Sequence, residues 1–172
     1  IAVVGATGAV GREVLHLLAA RGVPGGRVRP IASARSAGTR APYGPASVEV
    51  SGLDEDSFAG CSLAIFAADA VTARRFAPIA VGAGATVIDN SSAFRLDPDV
   101  PLVVPEVERG ESGPPPRGVI ANPNCTTMAA MPVLKPLHDA AGLKRLTVST
   151  YQAVSGGGVE GIRVLEDQAR AA

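Results

Sequence analysis

The feature that most constrains this chain is the alternation of short, mostly apolar runs with segments of helical spacing. The runs that predict core strands are residues 1–4, 28–32, 63–67, 85–89 and 119–121. Between them, apolar residues recur at helical spacing within 10–18, and a second helix is predicted over 70–82. Strands that are apolar along their whole length are buried on both faces. The predicted fold is therefore α/β, a doubly wound and mostly parallel sheet with helices on both sides.

Segments rich in Gly, Pro and Ser separate these elements. Residues 35–45 and 109–117 are predicted loops, and 47–50 alternates like a half-exposed strand. The character of the chain changes near Leu143. Residues 146–153 predict a longer strand, which a glycine-rich turn and a helix from residue 159 onward follow. We therefore predict two domains, 1–143 and 144–172, and expect only the beginning of the second to lie within this chain.

Length and charge exclude several classes of protein. The 172 residues suffice for one domain and part of another, and the chain begins at Ile1 without Met and ends inside a helical pattern. We expect it to be part of a longer protein. A formal net charge of zero without an evident basic face argues against nucleic acid as a partner. No apolar run approaches the roughly 20 residues that span a bilayer, so no membrane partner is expected. Two distant cysteines fit a reducing cytoplasm.

A glycine loop directly follows the first predicted strand and directly precedes the first helix. Its pattern is Gly-x-x-Gly-x-x-Gly, and its residues are Gly5, Ala6, Thr7, Gly8, Ala9, Val10 and Gly11. Glycines allow a tight turn and let backbone N–H groups approach a pyrophosphate at a helix N-terminus. The pattern therefore predicts a dinucleotide site. The alternative is an ordinary strand–helix turn that binds nothing.

The end of the second predicted strand indicates which dinucleotide would bind. NAD-specific domains usually carry Asp or Glu here to hold the ribose 2′-hydroxyl, whereas this chain has Arg35 between Ser33 and Ser36. A guanidinium and two hydroxyls suit a 2′-phosphate, which favours NADP as cofactor. The alternative is a solvated surface arginine.

Cys125 lies in the run Asn-Pro-Asn-Cys-Thr-Thr, between a predicted strand and a predicted helix. Helix starts carry partial positive charge, so a thiol there loses its proton more readily and becomes a nucleophile near neutral pH. The alternative is a small buried apolar residue, which is what we expect of Cys61 beside a core strand. The polar neighbours of Cys125 favour a catalytic role.

Other polar residues are weaker candidates. Arg95 follows the fourth predicted core strand, where open α/β sheets form their sites, and could bind an anionic substrate or form a surface ion pair with Asp97 or Asp99. His16 and His138 lie in helical patterns on faces expected to be solvated. Together they offer no metal-ligand spacing, so no metal is expected.

Taken together, these motifs resemble the aspartate-β-semialdehyde dehydrogenase family, and the resemblance runs the whole length of the chain. The matching segments are 5–11, 33–38, 87–95, 118–131 and 151–158. Asn-Pro-Asn-Cys-Thr-Thr and Tyr-Gln-Ala-Val-Ser-Gly are specific to that family. The resemblance implies a Rossmann-like first domain followed by the start of an α+β substrate and dimerisation domain.

The resemblance also implies roles by position. Cys125 matches the acyl-thioester nucleophile, Asn124 an active-site neighbour, Gln152 the residue that orients the substrate, and Arg95 a phosphate-binding arginine. The residues that match NADP contacts are Thr7, Gly8, Ala9, Val10, Arg35, Ser36, Ser155 and Gly156. The family further uses a histidine base and a carboxylate-binding arginine, which we expect beyond Ala172, so the isolated chain should be inactive.

The implied reaction is NADPH-dependent reductive dephosphorylation of L-4-aspartyl phosphate to L-aspartate 4-semialdehyde, in lysine, methionine, threonine and diaminopimelate biosynthesis. The resemblance implies a cytoplasmic homodimer. Two alternatives remain open at this point: a related acyl-phosphate reductase similar to the N-acetyl-γ-glutamyl-phosphate reductases, and a non-catalytic nucleotide-binding fragment or paralogue.

Overall fold

The computed structural model describes residues 1–107 and 113–171. The strands within these residues are, in chain order, β1 (Ala2–Val4), β2 (Arg29–Ala32), β3 (Arg40–Tyr43), β4 (Ala46–Glu49), β5 (Ser51–Gly52), β6 (Leu63–Phe66), β7 (Thr86–Asp89) and β8 (Val119–Ala121). The helices are α1 (Ala9–Ala20), α2 (Ala70–Gly82), α3 (Cys125–Ala141) and α4 (Gly158–Ala171). None of the helices in the described ranges is long and apolar enough to cross a bilayer.

Six of the strands form one parallel sheet in the order β5-β2-β1-β6-β7-β8. The chain leaves β1 towards β2 and β5, and then returns to the other side of β1 for β6, β7 and β8. The order therefore reverses between β1 and β6, and ligands of open α/β sheets bind beyond the carboxyl ends of the strands at such a reversal.

Helices cover both faces of this sheet, as predicted. Val3 belongs to a core cluster that includes Leu15 of α1, whereas the next residue, Val4, belongs to a second cluster with Phe76 of α2. Successive residues of β1 thus point to opposite faces. Leu15 and Phe66 are fully buried, and each such side chain contributes about 1.5–3 kcal/mol relative to exposure. The doubly wound α/β fold predicted from the sequence is confirmed.

The segment 35–45, predicted as a loop, instead contains β3. This strand pairs antiparallel with β4 in a separate two-stranded ribbon, with Tyr43 opposite Ala46 across the turn. The strand predicted over 47–50 corresponds to β4 in this ribbon. Ala41 and Tyr43 are buried while their neighbours Arg40 and Pro42 are exposed, so the ribbon covers the α1 side of the core. β3 has only four residues and includes Pro42, so its sequence pattern is too short to be distinguished from that of a turn.

The strand predicted over 146–153 is wrong. Residues 143–153 have no regular secondary structure, and all of them are exposed. A strand requires a neighbour to accept and donate its backbone hydrogen bonds, and none of the described strands pairs with this segment. α3 ends before it at Gly142, whose φ of 66° is left-handed. The predicted division into 1–143 and 144–172 stays a prediction, and residues 109–112 of the predicted loop 109–117 lie outside the described residues.

Candidate functional site

The glycine loop connects β1 to α1 at the reversal point of the sheet. Gly5 has a φ of 80°, and a Cβ there would overlap the carbonyl oxygen of Ala67, just after β6. A Cβ on Gly11 would likewise overlap the carbonyl oxygen of Gly5, so the helix lies directly against the strand end. Gly8 caps α1 without a side-chain hydrogen bond. The first N–H groups of the helix are therefore not covered by a capping side chain, which suits an anion.

The end of β2 lies beside this loop. Ser33 precedes a short 3-10 turn, Ala34–Ser36, and the hydroxyl oxygens of Thr7 and Ser36 are 3.5 Å apart although 29 residues separate them. Arg35 is exposed on the same turn. The turn that carries Arg35 thus meets the glycine loop through two hydroxyls, and a guanidinium with neighbouring hydroxyls is a donor set that fits a phosphate group.

A second, more distant segment lies within electrostatic reach of Arg35. Glu160 in the first turn of α4 has a lowered pKa, chiefly because the Arg163 guanidinium donates hydrogen bonds to its carboxylate, with a smaller contribution from the charge of Arg35. α4 follows the 3-10 turn Val154–Gly157, which holds the predicted cofactor residues Ser155 and Gly156. The charge of Arg35 thus reaches the first turn of the helix that follows Ser155 and Gly156.

Cys125 is the first residue of α3 and is exposed. The preceding residue, Asn124, caps the helix: its Oδ1 accepts hydrogen bonds from the Thr126 N–H at 2.9 Å and the Thr126 hydroxyl at 2.6 Å. The Cys125 thiol donates to the same oxygen at 3.8 Å. Asn and Thr residues favour this geometry because their short polar side chains satisfy backbone groups at helix starts. Cys61, in contrast, is 7% exposed, as predicted for a core cysteine.

Gln152 lies next to the thiol although it is 27 residues away along the chain. Its Nε2 donates to the Sγ of Cys125 at 3.9 Å. The structure therefore brings Cys125, Asn124 and Gln152 into one cluster, and the turn with Ser155 and Gly156 follows Gln152 directly.

Arg95 connects two strand ends. Its Nε donates to the Asn122 carbonyl at 2.8 Å, and its Nη2 donates to the Asn90 carbonyl at 3.0 Å. The side chains of Asn90 and Asn122 are also joined, with Asn122 Nδ2 donating to Asn90 Oδ1 at 2.6 Å. Arg95 is thus tied to a position three residues before Cys125. The surface ion pair considered as its alternative is formed instead by Arg74 and Arg117, which both contact Asp97.

The roles of Asn90 and Asn122 were not predicted. Each follows the last residue of a core strand, β7 or β8, so their equivalent positions at the carboxyl edge were a usable signal. Just before Asn90, the fully buried carboxylate of Asp89 accepts hydrogen bonds from the Ser91 N–H at 3.0 Å and its hydroxyl at 2.7 Å. These bonds fix the loop that carries Arg95.

The remaining candidates lie apart from this edge. His16 and His138 are exposed on α1 and α3, as predicted. Residues 1–107 and 113–171 contain no group of three or more His, Cys, Asp or Glu side chains that could hold a metal. A cavity of about 540 Å³ lies at the amino-terminal edge of the sheet, lined among others by Arg27, Arg29 and Glu49. It contains none of the predicted site residues and lies at the wrong end of the strands for this fold.

Two family profiles of known proteins match this chain. The profile of the family described as semialdehyde dehydrogenase, NAD binding domain, matches residues 1–112, and that of the semialdehyde dehydrogenase dimerisation domain matches residues 134–172. The chain is 51% identical over 174 aligned residues to the aspartate-semialdehyde dehydrogenase of Corynebacterium glutamicum, covering 99% of this chain. It spans about half the length of the curated relatives it matches, 51% in that case.

Solved structures show the same similarity. Aspartate semialdehyde dehydrogenase II of Vibrio cholerae, complexed with ASA, has a TM-score of 0.81 and 41% identity, covering 97% of this chain and 50% of that one. The Candida albicans aspartate semialdehyde dehydrogenase with NADP has a TM-score of 0.65 and 27% identity, covering 83% of this chain and 47% of that one. The Rossmann-like fold is shared by these structures and this chain.

Proposed function

This chain belongs to the semialdehyde dehydrogenase family, and on that premise we propose that it carries the nucleotide site and the nucleophile of an NADPH-dependent enzyme. The proposed reaction converts L-4-aspartyl phosphate to L-aspartate 4-semialdehyde. The observation that carries this proposal is the position of Cys125: an exposed thiol at a helix start, beside Asn124 and Gln152. The glycine loop lies at the same carboxyl edge of the sheet.

The first chemical step falls to Cys125. Its thiolate attacks the acyl carbon of the aspartyl phosphate, the carbon–oxygen bond to phosphate breaks, and a thioester and inorganic phosphate result. Two of the N–H donors of Arg95 are used by backbone carbonyls, and we assign its remaining donors to the departing phosphate. The Gln152 amide donates to the sulfur while the acyl group is attached, and Asn124 keeps its cap on the helix start.

The donor set at the glycine loop fits a phosphorylated dinucleotide, since the start of α1 has no side-chain cap and Arg35, Ser36 and Thr7 surround it. NADPH bound there would supply a hydride for the thioester carbonyl. Cleavage of the carbon–sulfur bond then releases the aldehyde and regenerates the Cys125 thiolate. We assign the 2′-phosphate to Arg35 and Ser36, with Ser33 next to them, because a guanidinium favours that dianion over a bare hydroxyl. Ser155 and Gly156 are proposed as further cofactor contacts from the turn before α4.

The test is a pair of cysteine variants of the complete protein. Cys125→Ser should abolish turnover of aspartyl phosphate while NADP binding stays nearly intact, because the glycine loop is untouched. Cys61→Ser is the control and should keep activity. On the folded protein, iodoacetamide should label Cys125 well before Cys61, since only Cys125 is exposed.

Three results would contradict the proposal. Substantial turnover by the Cys125→Ser variant would rule out the proposed thioester step. Preferential labelling of Cys61 would place the reactive thiol elsewhere. Turnover of N-acetyl-γ-glutamyl phosphate in place of aspartyl phosphate would keep the chemistry and assign the protein to the related acyl-phosphate reductases.

We also propose that the complete protein is a homodimer and acts in the cytoplasm. The match of residues 134–172 to a dimerisation domain supports the first statement. Sedimentation of the complete protein at micromolar concentration should give a dimer, and a monomer alone would contradict this proposal.

A further inference from the structure

Gly156 lies where any side chain would displace Gln152 from the candidate nucleophile. A Cβ built on Gly156 overlaps the Nε2 atom of Gln152. That same Nε2 atom is the donor 3.9 Å from the Sγ of Cys125. The Gln152 amide, which contacts the thiol, therefore occupies the space that a side chain at position 156 would need.

The requirement at Gly156 is one of space and not of backbone conformation. Its φ is outside the positive range that favours glycine. Its N–H donates to the Ala153 carbonyl at 3.2 Å within an ordinary 3-10 turn. The neighbouring Gly157 also lacks a positive φ, but a Cβ there would meet nothing within 4 Å. Of the two adjacent glycines, Gly156 is the one at which a Cβ would meet Gln152.

The turn itself is held against α4. A Cβ on Gly161 would lie 3.0 Å from the Val154 carbonyl oxygen, so helix and turn approach closely. A side chain at position 156 would therefore meet a supported turn on one side and the end of a flexible glutamine on the other. The glutamine is the part that moves.

We propose that Gly156 is a positioning residue that keeps the Gln152 amide against the Cys125 thiol. This inference rests on the proposed function of Cys125. The amide N–H supports the thiolate, and later the thioester sulfur, by donating a hydrogen bond. With a side chain at position 156, Gln152 turns away and the sulfur loses this donor while the helix start and its Asn124 cap remain.

The experiment compares Gly156→Ala with the matched control Gly157→Ala in the complete protein, without added cofactor. The rate of iodoacetamide alkylation at Cys125 is measured across pH by mass spectrometry. Working without cofactor separates this effect from the proposed cofactor contact of Gly156. Gly156→Ala should move the profile to higher pH and slow labelling at neutral pH by roughly tenfold, which is near the lower limit for loss of one hydrogen bond to a charged group. Gly157→Ala should retain the profile of the unmodified protein.

A double-variant cycle tests whether Gly156 acts through Gln152. Gln152→Ala should produce the same shifted profile, and adding Gly156→Ala to it should change nothing further. An unshifted profile for Gly156→Ala, or additive effects in the double variant, would overturn the inference. If Gly156→Ala does not fold, the double variant should, because the overlap is gone; failure of both would also overturn it. Retained turnover in Cys125→Ser is a separate result that contradicts the proposed function and not this contact.

Discussion

At the scale of single residues, Asn124 combines two tasks in one side-chain oxygen. The oxygen caps α3 through Thr126 and contacts the Cys125 thiol at 3.8 Å. An amide oxygen can do both without placing a negative charge beside the sulfur. With the proposed role of Cys125, Asn avoids the charge repulsion that Asp, an equally good helix cap, would exert on the thiolate.

This reasoning predicts the effect of Asn124→Asp. The carboxylate keeps the cap but repels the thiolate. Two like charges about 4 Å apart repel each other by roughly 1 kcal/mol in bulk water and by roughly 4 kcal/mol near a protein surface. Alkylation of Cys125 at neutral pH should slow by about fivefold or more. Asn124→Ser keeps a capping oxygen without the charge and should stay close to the unmodified rate. Equal rates for Asp and Ser would contradict this account.

Arg35 is the residue for which cofactor choice can be tested. Arg35→Ala should weaken NADP binding to the complete protein by about 10–150-fold, the equivalent of roughly 1.5–3 kcal/mol for a charged hydrogen-bond partner, and leave NAD binding nearly unchanged. Titration calorimetry with both cofactors measures the difference. Arg21→Ala is the control, because Arg21 lies at the far end of α1, about 18 Å from its start. An equal loss for both cofactors would refute the assignment.

At the scale of elements, α2 shows how a helix start makes stability depend on pH. The Asp69 carboxylate accepts hydrogen bonds from the Thr72 N–H and hydroxyl, both at 2.9 Å. The bond from the Thr72 N–H is the largest cause that lowers the pKa of Asp69, followed by that from the hydroxyl. A carboxyl with a lowered pKa in the folded state stabilises that state above its unfolded pKa, and the contribution disappears as the pH falls through the folded pKa.

Asp69→Ala should therefore lower the free energy of unfolding by about 1 kcal/mol at pH 7, as for other helix caps. The difference from the unmodified chain should shrink progressively as the pH falls below about 4. Urea unfolding followed by circular dichroism measures both values. Asp99→Ala is the control, since its exposed carboxylate makes no hydrogen bond or ion pair with the described residues. A difference that stays constant down to pH 2 would contradict the cap.

At the scale of the whole molecule, burial divides the chain unevenly. α2 buries four residues against the sheet, whereas α3, which is longer, buries none. Apolar residues such as Val133 and Leu137 of α3 are exposed. Most helical stability in proteins comes from tertiary packing of an apolar face, so α3 should be less stable than α2 within the 172-residue chain.

Hydrogen exchange of the 172-residue chain tests this division. Amides of β1, β6 and α2 should exchange slowest, and those of α3 substantially faster, because local opening costs little where few apolar contacts are lost. The comparison of α2 with α3 within one sample is its own control. Protection of α3 equal to that of α2 would show that the helix is stabilised in a way that its exposure does not explain.

Local patterns in the sequence were sufficient for the sheet strands β1, β2, β6, β7 and β8, for α1 and α2, and for the glycine loop at the start of α1. A buried strand and an amphipathic helix each leave a periodic trace in consecutive residues, and a helix start is specified within three or four positions. The local sequence also identified Cys125 as a candidate, because it lies between a predicted strand and a predicted helix. The expected strand over 146–153 had such a pattern and is absent, because a strand also needs a partner that its own residues do not encode.

Tertiary structure alone decided which distant residues meet. The approach of Gln152 to Cys125 and the bridge from Arg95 to Asn90 and Asn122 each join segments that no periodicity connects. Strand order brings β6, β7 and β8 side by side, and only then do the polar residues after each strand share one edge. Periodicity indicates whether a residue is buried or exposed, whereas contacts between distant residues depend on how the whole chain folds.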